Sequence, residues 1–385
     1  MPADNSRPSV AQLEAAGLYD PKAADAADRL ALLQYLIDVG ATLDDLQAED
    51  PRELATLATT LRLWPSRARF TLDEAAQRSG VDARLVRRTW RAAGFPDPES
   101  DARLFTEQDI ELFRQLSTAT ALLGEDVAVH FVRVVGAAAS RVADAAITAF
   151  VVNVGPSVLE RDPSAVALAR ANVASVELLP SLTDAFDVLL RHHLAAMRRP
   201  VEAIDVDRRV DLQSLSVGFV DLVGSTTLAN TLEPADLAAA LTHFDASSSE
   251  IVTQHGGRVI KLIGDEVMFV AADADTAADV AVALVDALDT DDVLPPARAS
   301  VASGEVVARD GDYSGPIVNL AARAVTVARP SSVLVDRATR DHLTDTRFAT
   351  RDAGQHRLKG FERRIRLYRV RRSDERGRTR PAPGG

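Results

Sequence analysis

Two aspartates stand where strand-like runs give way to turns. Asp221 ends the run "SVGFVDL" and is followed by "VGST". Asp265 lies in the middle of "RVIKLIGDEVMFVA" (residues 258–271), two apolar runs separated by Gly264, Asp265 and Glu266. That is the pattern of a β-hairpin. Alone, each aspartate reads as an ordinary turn residue. Placed on neighbouring strands, they would set two carboxylates side by side, and one would stay protonated unless a cation neutralised the pair. A divalent metal resolves the conflict, and two metals are the usual device for in-line phosphoryl chemistry. The turn after Asp221 offers backbone amides at Val223, Gly224, Ser225 and Thr226 that can cradle phosphate. Lys261 lies four residues ahead of Asp265, on the same hairpin.

The elements that must position these groups are β-type runs separated by helical stretches. The runs are "SLSVGFVDL", "RVIKLIGDEVMFVA", "ARASVASGEVVA", "SSVLVD" and "RRIRLYRV". The intervening "PADLAAALTHFDASSSEIVTQHGG", "DTAADVAVALVDAL" and "GPIVNLAARAVTVA" have helical spacing. All of them follow residue 205. Before it the chain is rich in Ala and Leu at helical intervals, with Gly40 as a stop and Asp162-Pro163-Ser164 as a helix start. The expected division is therefore residues 1–205, all-helical; residues 206–372, α+β; and a disordered polar tail at 373–385.

Composition narrows the function classes. Of 385 residues, 46% are hydrophobic and 26% charged, as in a globular protein. With no cysteine there is no disulfide, thiolate zinc site or cysteine nucleophile. A net charge of −12 argues against sequence-independent nucleic-acid binding by the whole chain. No basic region followed by an apolar run opens the sequence, so no signal peptide is expected. The uncharged stretch 145–159 is too short to span a bilayer and contains Gly155 and Pro156, so no transmembrane segment is expected and the cytoplasm is the expected location.

"FVDLVGST", "KLIGDEVMF" and "GDYSGPIVNLAAR", in this order, resemble the catalytic domain of class III adenylyl cyclases over residues 206–372. The resemblance implies a ferredoxin-like α+β core that turns ATP into cyclic AMP and pyrophosphate. It implies two magnesium or manganese ions at Asp221, Leu222 and Asp265. Lys261 and Asp312 match the pair that recognises adenine. Asn319 and Arg323 match the residues that position the ribose and stabilise the transition state; four residues apart on a helix, they share a face. Lys359 in "LKG" resembles the family's triphosphate-contacting lysine. In the family the metal aspartates come from one subunit and the base and ribose contacts from the other. One chain carrying both sets implies a head-to-tail homodimer with two shared sites.

Adenine presents an acceptor at N1 and a donor at its amine. Lys261 can donate to the first and Asp312 accept from the second; guanine reverses the pattern, so GTP should be rejected.

The helical half has a different resemblance. Residues 70–115 read as a helix-turn-helix unit with a short wing, similar to the DNA-binding half of MerR-type regulators. Phe70–Ser79 form the first helix, Gly80 the turn and Asp82–Ala93 the second. Arg84, Arg87, Arg88 and Arg91 fall at helical intervals and make one basic face. The alternative function is therefore a DNA-binding regulator with a nucleotide-sensing cyclase-like domain. The acidic chain and the complete cyclase set favour a regulatory role for this half and argue against nucleic acid as a partner. Its signal could be pH, through His192 and His193 near the domain joint, or a lipid or fatty acid held among its apolar helices.

Overall fold

The computed structural model describes residues 7–64, 69–197, 211–225 and 230–373. The charged passage at 201–210, with the expected domain joint, and the tail from 374 onward lie outside the described residues. Two compact units, Met1–Pro200 and Val201–Gly385, divide the chain.

The first unit is helical: α1 (Val10–Ala15), α2 (Ala26–Val39), α3 (Leu43–Ala48), α4 (Leu54–Leu63), α5 (Leu72–Ser79), α6 (Ala83–Ala92), α7 (Glu107–Leu123), α8 (Glu125–Ala149), α9 (Gly155–Arg161), α10 (Ala165–Val176) and α11 (Leu179–Ala196). Local chemistry sets several of these starts. Ser9, Thr42, Thr71 and Thr106 each close a capping box with the residue three positions on. One core gathers Leu33, Leu36, Leu46 and Leu54 with Ala169 of α10; another gathers Leu72, Val86, Phe105, Ile110 and Phe113.

Helices α5 and α6 are joined through Gly80 in the left-handed region, and Phe70 bridges to Phe105 beyond the second helix. The basic face of α6 is occupied from within the unit. Arg88 pairs with Glu125 and Asp126, Arg84 with Glu125, and Arg87 and Arg91 with Asp97. The long helix α8 supplies Glu125 and Asp126. It also crosses α6 closely enough that a Cβ at Gly136 would meet the Ala93 carbonyl.

The stretch at 145–159 does not stand alone but is part of a longer helix. A π-helical turn at Phe150–Val154 carries α8 into α9, with Pro156 tolerated in the first turn of α9. The continuous helix Glu125–Arg161 is long and apolar enough to cross a membrane by length and composition, and little of it is buried. Phe131, Ile147, Val151 and Val152 on it, and Phe186, Leu189 and Leu194 on α11, are exposed. His192 and His193 lie exposed on α11.

The second unit runs β1 (Leu212–Leu222), α12 (Pro234–Gln254), β2 (Arg258–Ile263), β3 (Glu266–Ala271), α13 (Ala274–Asp289), β4 (Ala297–Arg309), β5 (Asp312–Ser314), α14 (Pro316–Val325), β6 (Ser332–Val335), α15 (Arg337–His342), β7 (Phe348–His356) and β8 (Ile365–Arg372). The sheet order is β2-β3-β1-β4-β6-β8-β7, with β5 on β4. The first four strands, β1-α12-β2-β3-α13-β4 in order β2-β3-β1-β4 with antiparallel neighbours, are the ferredoxin-like core expected from the sequence. Parallel pairing of β4 with β6 extends it, and the hairpin β7–β8 closes the far edge. Strands β5 and β7 were not among the expected runs; β7, "FATRDAGQH", is mostly polar and bulged near Asp352.

The two sheet faces differ in cover. Val220, Leu222, Val267 and Phe269 point to the face sealed by α12 and α13, with Phe244, Val252, Val280 and Ala281 opposite them. Val217, Phe219, Met268 and Val270 point the other way, against Val318, Ala321 and Val325 of α14. Among the described residues α14 is the helix that packs on that second face, which also bears Asp221.

Candidate active site

The end of β1 and the tip of the β2–β3 hairpin are clipped together. The Leu222 amide donates to the Asp265 carbonyl at 3.1 Å, and Asp221 faces Glu266 across the ladder. Gly264 makes the tight turn with φ +64°, a conformation that costs glycine little. On its other side Asp221 faces Arg298 of β4. The guanidinium donates to one Asp221 oxygen through Nε at 2.8 Å and lies 2.6 Å from it through Nη2; it also donates to the Thr326 carbonyl at 3.1 Å.

Asp221 bonds Arg298, Asp265 and Glu266 lie near enough for charge effects with Asp221, and the titration behaviour follows. Burial pushes the Asp221 carboxyl up; Arg298 pulls it back, and Asp265 adds to the rise. Glu266 is pushed up to about 7 by burial and by the charges of Asp221 and Asp265, against the pull of Arg298 and Arg323. Glu266 and Arg298 took no part in the sequence-based site. Their signal is the register itself, since Arg298 is 77 residues from its aspartate.

Lys261 and Asp312 are brought together, Nζ to Oδ2 at 2.6 Å. The other Asp312 oxygen accepts from the Tyr313 amide at 2.8 Å. Tyr313 is in turn bonded to Arg258. Asn319 and Arg323 lie one turn apart on α14, both exposed, and among the described residues neither side chain has a hydrogen-bond or ion-pair partner.

Strand directions separate Asp312 and Lys359 from Asp221 and Asp265 along the sheet, whereas the charge of Arg323 acts on Glu266, at the Asp221 end. Leu222 pairs with Ala297, so β1 ends where β4 begins, at the end of the sheet that holds Asp221 and Asp265. Asp312 follows the far end of β4. Lys359 sits exposed in the turn before β8, and β8 runs antiparallel to β6, so this turn is also at the far end. Within one chain Lys359 does not join Asp221 and Asp265.

The phosphate turn is only partly available. The Val223 amide donates to the Pro296 carbonyl at 2.9 Å and is already committed, which removes it from the expected cradle. Gly224, with φ +80°, and Ser225 follow. Thr226 lies outside the described residues.

Comparison with known proteins assigns both units. Residues 209–372 match the adenylate and guanylate cyclase catalytic domain, and residues 11–197 match the adenylate cyclase regulatory domain. An adenylate cyclase of Streptomyces coelicolor is 37% identical over 307 residues, covering 78% of each chain. An uncharacterised protein of Mycobacterium tuberculosis is 34% identical over 359 residues, 93% of each chain. A pH-sensitive adenylate cyclase of the same organism is 33% identical over 374 residues, 93% of this chain and 91% of that one. The chain belongs to the class III adenylate cyclases that carry a regulatory domain ahead of the catalytic one.

Proposed function

We propose that the protein forms cyclic AMP and pyrophosphate from ATP at two sites, each shared between the chains of a head-to-tail homodimer. The observation that carries this reading is the split within one sheet. Asp221 and Asp265 meet at one end, while Asp312, bonded to Lys261, and Lys359 lie toward the other. A second copy turned about a two-fold axis would bring one end of each sheet to the opposite end of the other. The exposed apolar side chains of α8, α9 and α11 support assembly, because surfaces of that kind are usually covered by another protein surface.

The carboxylates fit divalent cations. Burial first, then the charges of Asp221 and Asp265, drive Glu266 to about 7, as in a site short of positive charge. Among the described residues no three metal-ligating side chains converge. That suits magnesium or manganese, which takes one or two carboxylates together with substrate phosphates and water. Bound at Asp221, Leu222 and Asp265, two such ions would acidify the ribose 3′-hydroxyl and take up charge on the triphosphate.

The chain's own groups do the rest. Lys261 donates to adenine N1 and Asp312 accepts from the adenine amine. Asn319 holds the ribose. Arg323, with no hydrogen-bond or ion-pair partner among the described residues, meets the charge that grows on the α-phosphate as the 3′-oxygen attacks. Lys359 and the amides of Gly224 and Ser225 hold the leaving pyrophosphate, with Thr226 continuing the cradle. Replacing Asp221 or Asp265 by alanine should abolish cyclic AMP formation in a folded protein; near-wild-type activity in either with magnesium or manganese would refute the metal assignment.

The first unit sets the rate rather than the substrate. Its relative's pH sensitivity makes proton concentration the first signal to test and a lipid the second. As an ATP-consuming enzyme the protein works in the cytoplasm. Nucleic acid is not among the proposed partners: the chain carries a net charge of −12, and the four arginines that would read it face acids of their own unit. Comparing full-length protein with residues 206–385 across pH tests the regulatory role, and identical profiles would end it.

A further inference from the structure

The hairpin β7–β8 is charged far out of proportion to the rest of the molecule. Residues 347–372 hold ten lysines and arginines against two acids, in a chain whose net charge is −12. Three of the ten are paired: Arg347 and Arg372 with acids of α13, and Arg366 with Asp352. The other seven have no ion pair among the described residues, and Arg369 only donates to the Ser331 carbonyl. Arg351 stands directly across from Arg369 in the ladder. Like charges placed so are destabilising.

Arg351, Arg369 and Arg371 share one sheet face. Leu334, which faces Arg369 across β6, packs with Ala324 and Ala328 at the end of α14, so this is the face that also carries Asp221 and Arg298. At the tip of the same hairpin Lys359 is flanked by Arg357, Arg363 and Arg364. Protection of an edge strand is the plain explanation for charge here, since charged side chains discourage edge-to-edge pairing. It does not account for the pattern. Of the two strands β7 is the edge, whereas Arg369 and Arg371 lie on β8; and edge protection works with either sign, whereas here seven basic side chains without an ion pair stand with a single exposed acid, Glu362, outside the pair Arg366–Asp352.

We infer that the β7–β8 hairpin is an electrostatic collector for the nucleoside triphosphate: a strongly net-basic surface that raises the local concentration of a polyanionic substrate around a protein of opposite net charge. The inference rests on the proposed role of Lys359 at the triphosphate, which places the hairpin beside the site. A field of this kind lowers KM without altering the chemical step, decays with distance, and is screened by salt. A short direct contact would be screened less by salt and would not be graded with distance from the site.

Arg351→Glu and Arg364→Glu test it in the full-length enzyme, by steady-state kinetics with magnesium ATP at low and high salt. Arg351→Glu sets a carboxylate across from Arg369, so the fold is not endangered and the thermal midpoint should not fall. At about 10 mM ionic strength, where charges act over roughly 30 Å, KM should rise about twofold for Arg351→Glu and about fivefold for Arg364→Glu, nearer the tip, with kcat kept. At 1 M, where the range is about 3 Å, both should match the wild type. An unchanged KM at low salt, or a defect that persists at high salt, overturns the inference while leaving an active wild type and its site assignment intact. A wild type that forms no cyclic AMP overturns the site assignment first, and the collector with it.

Discussion

Lys261 and Asp312 hold each other, Nζ to Oδ2 at 2.6 Å, so the two groups proposed to read the base are closed on one another before any base arrives. Their side chains are 37% and 52% exposed. Pairs of that kind contribute about 0.2–1 kcal/mol, so a base can part them at small cost. Once parted, a donor and an acceptor face an adenine edge that offers the complement. Guanine would set donor against Lys261 and acceptor against Asp312.

Replacing Asp312 by alanine removes the acceptor for the adenine amine and frees Lys261. The preference for ATP over GTP should fall by about tenfold or more, because discrimination by hydrogen bonding depends on the partner group being present. Cyclic AMP and cyclic GMP formed from equal substrate concentrations measure it. An unchanged ratio would mean that other residues read the base.

Arg298 is the counter-charge that lets Asp221 ionise in a half-buried place. Arg298→Met leaves Asp221, Asp265 and Glu266 together without it. The metal-free protein should lose about 1–3 kcal/mol of stability, the usual cost of an unsatisfied polar group. Magnesium or manganese should restore much of the loss by supplying positive charge to the same carboxylates. Thermal unfolding with and without the ion checks this, and an equal deficit in both conditions would contradict it.

Glu266 makes the metal-free protein sensitive to pH in a definite direction. Its ordinary value is 4.5 and its folded value about 7. Between the two, the folded chain keeps a proton that the unfolded chain releases. The associated stability is present below 4.5 and is lost as pH rises through about 7. The thermal midpoint of metal-free protein should fall across that window. In Glu266→Gln, neutral throughout, the fall should be shallower; an identical slope would remove Glu266 as its source.

The strands and helices of the catalytic half are legible because their apolar periods are strong, as in "SLSVGFVDL" and "DTAADVAVALVDAL". Strand β7 is not, since "FATRDAGQH" owes its place to pairing with β8 rather than to a buried face. Asp221, Asp265, Lys261 and Asp312 could be singled out by motif. Arg298 could not: "ARASVASG" reads as plain strand, and only the register of β4 against β1 puts its guanidinium on Asp221. Nor could the committed amide of Val223, whose acceptor Pro296 is a loop carbonyl 73 residues away. In the helical half the arginine period of α6 was visible, but the carboxylates that take it up come from the start of α8 and from the loop after α6. Spacing along a chain gives faces of elements; it does not give what lies against them.

The shared site is tested most directly by mixing two inactive variants. Arg323→Ala lacks the charge at the α-phosphate and Asp221→Ala lacks a metal carboxylate, so each homodimer should be dead. In a mixed dimer one site collects both lesions and the other collects neither. Random pairing with complete exchange would return activity to about a quarter of wild type, half the dimers being mixed and half their sites intact. Cyclic AMP formation by a doubly tagged, purified mixed dimer is the measurement. The account predicts activity there from two dead parents; a dimer proven to be mixed that forms no cyclic AMP would contradict it.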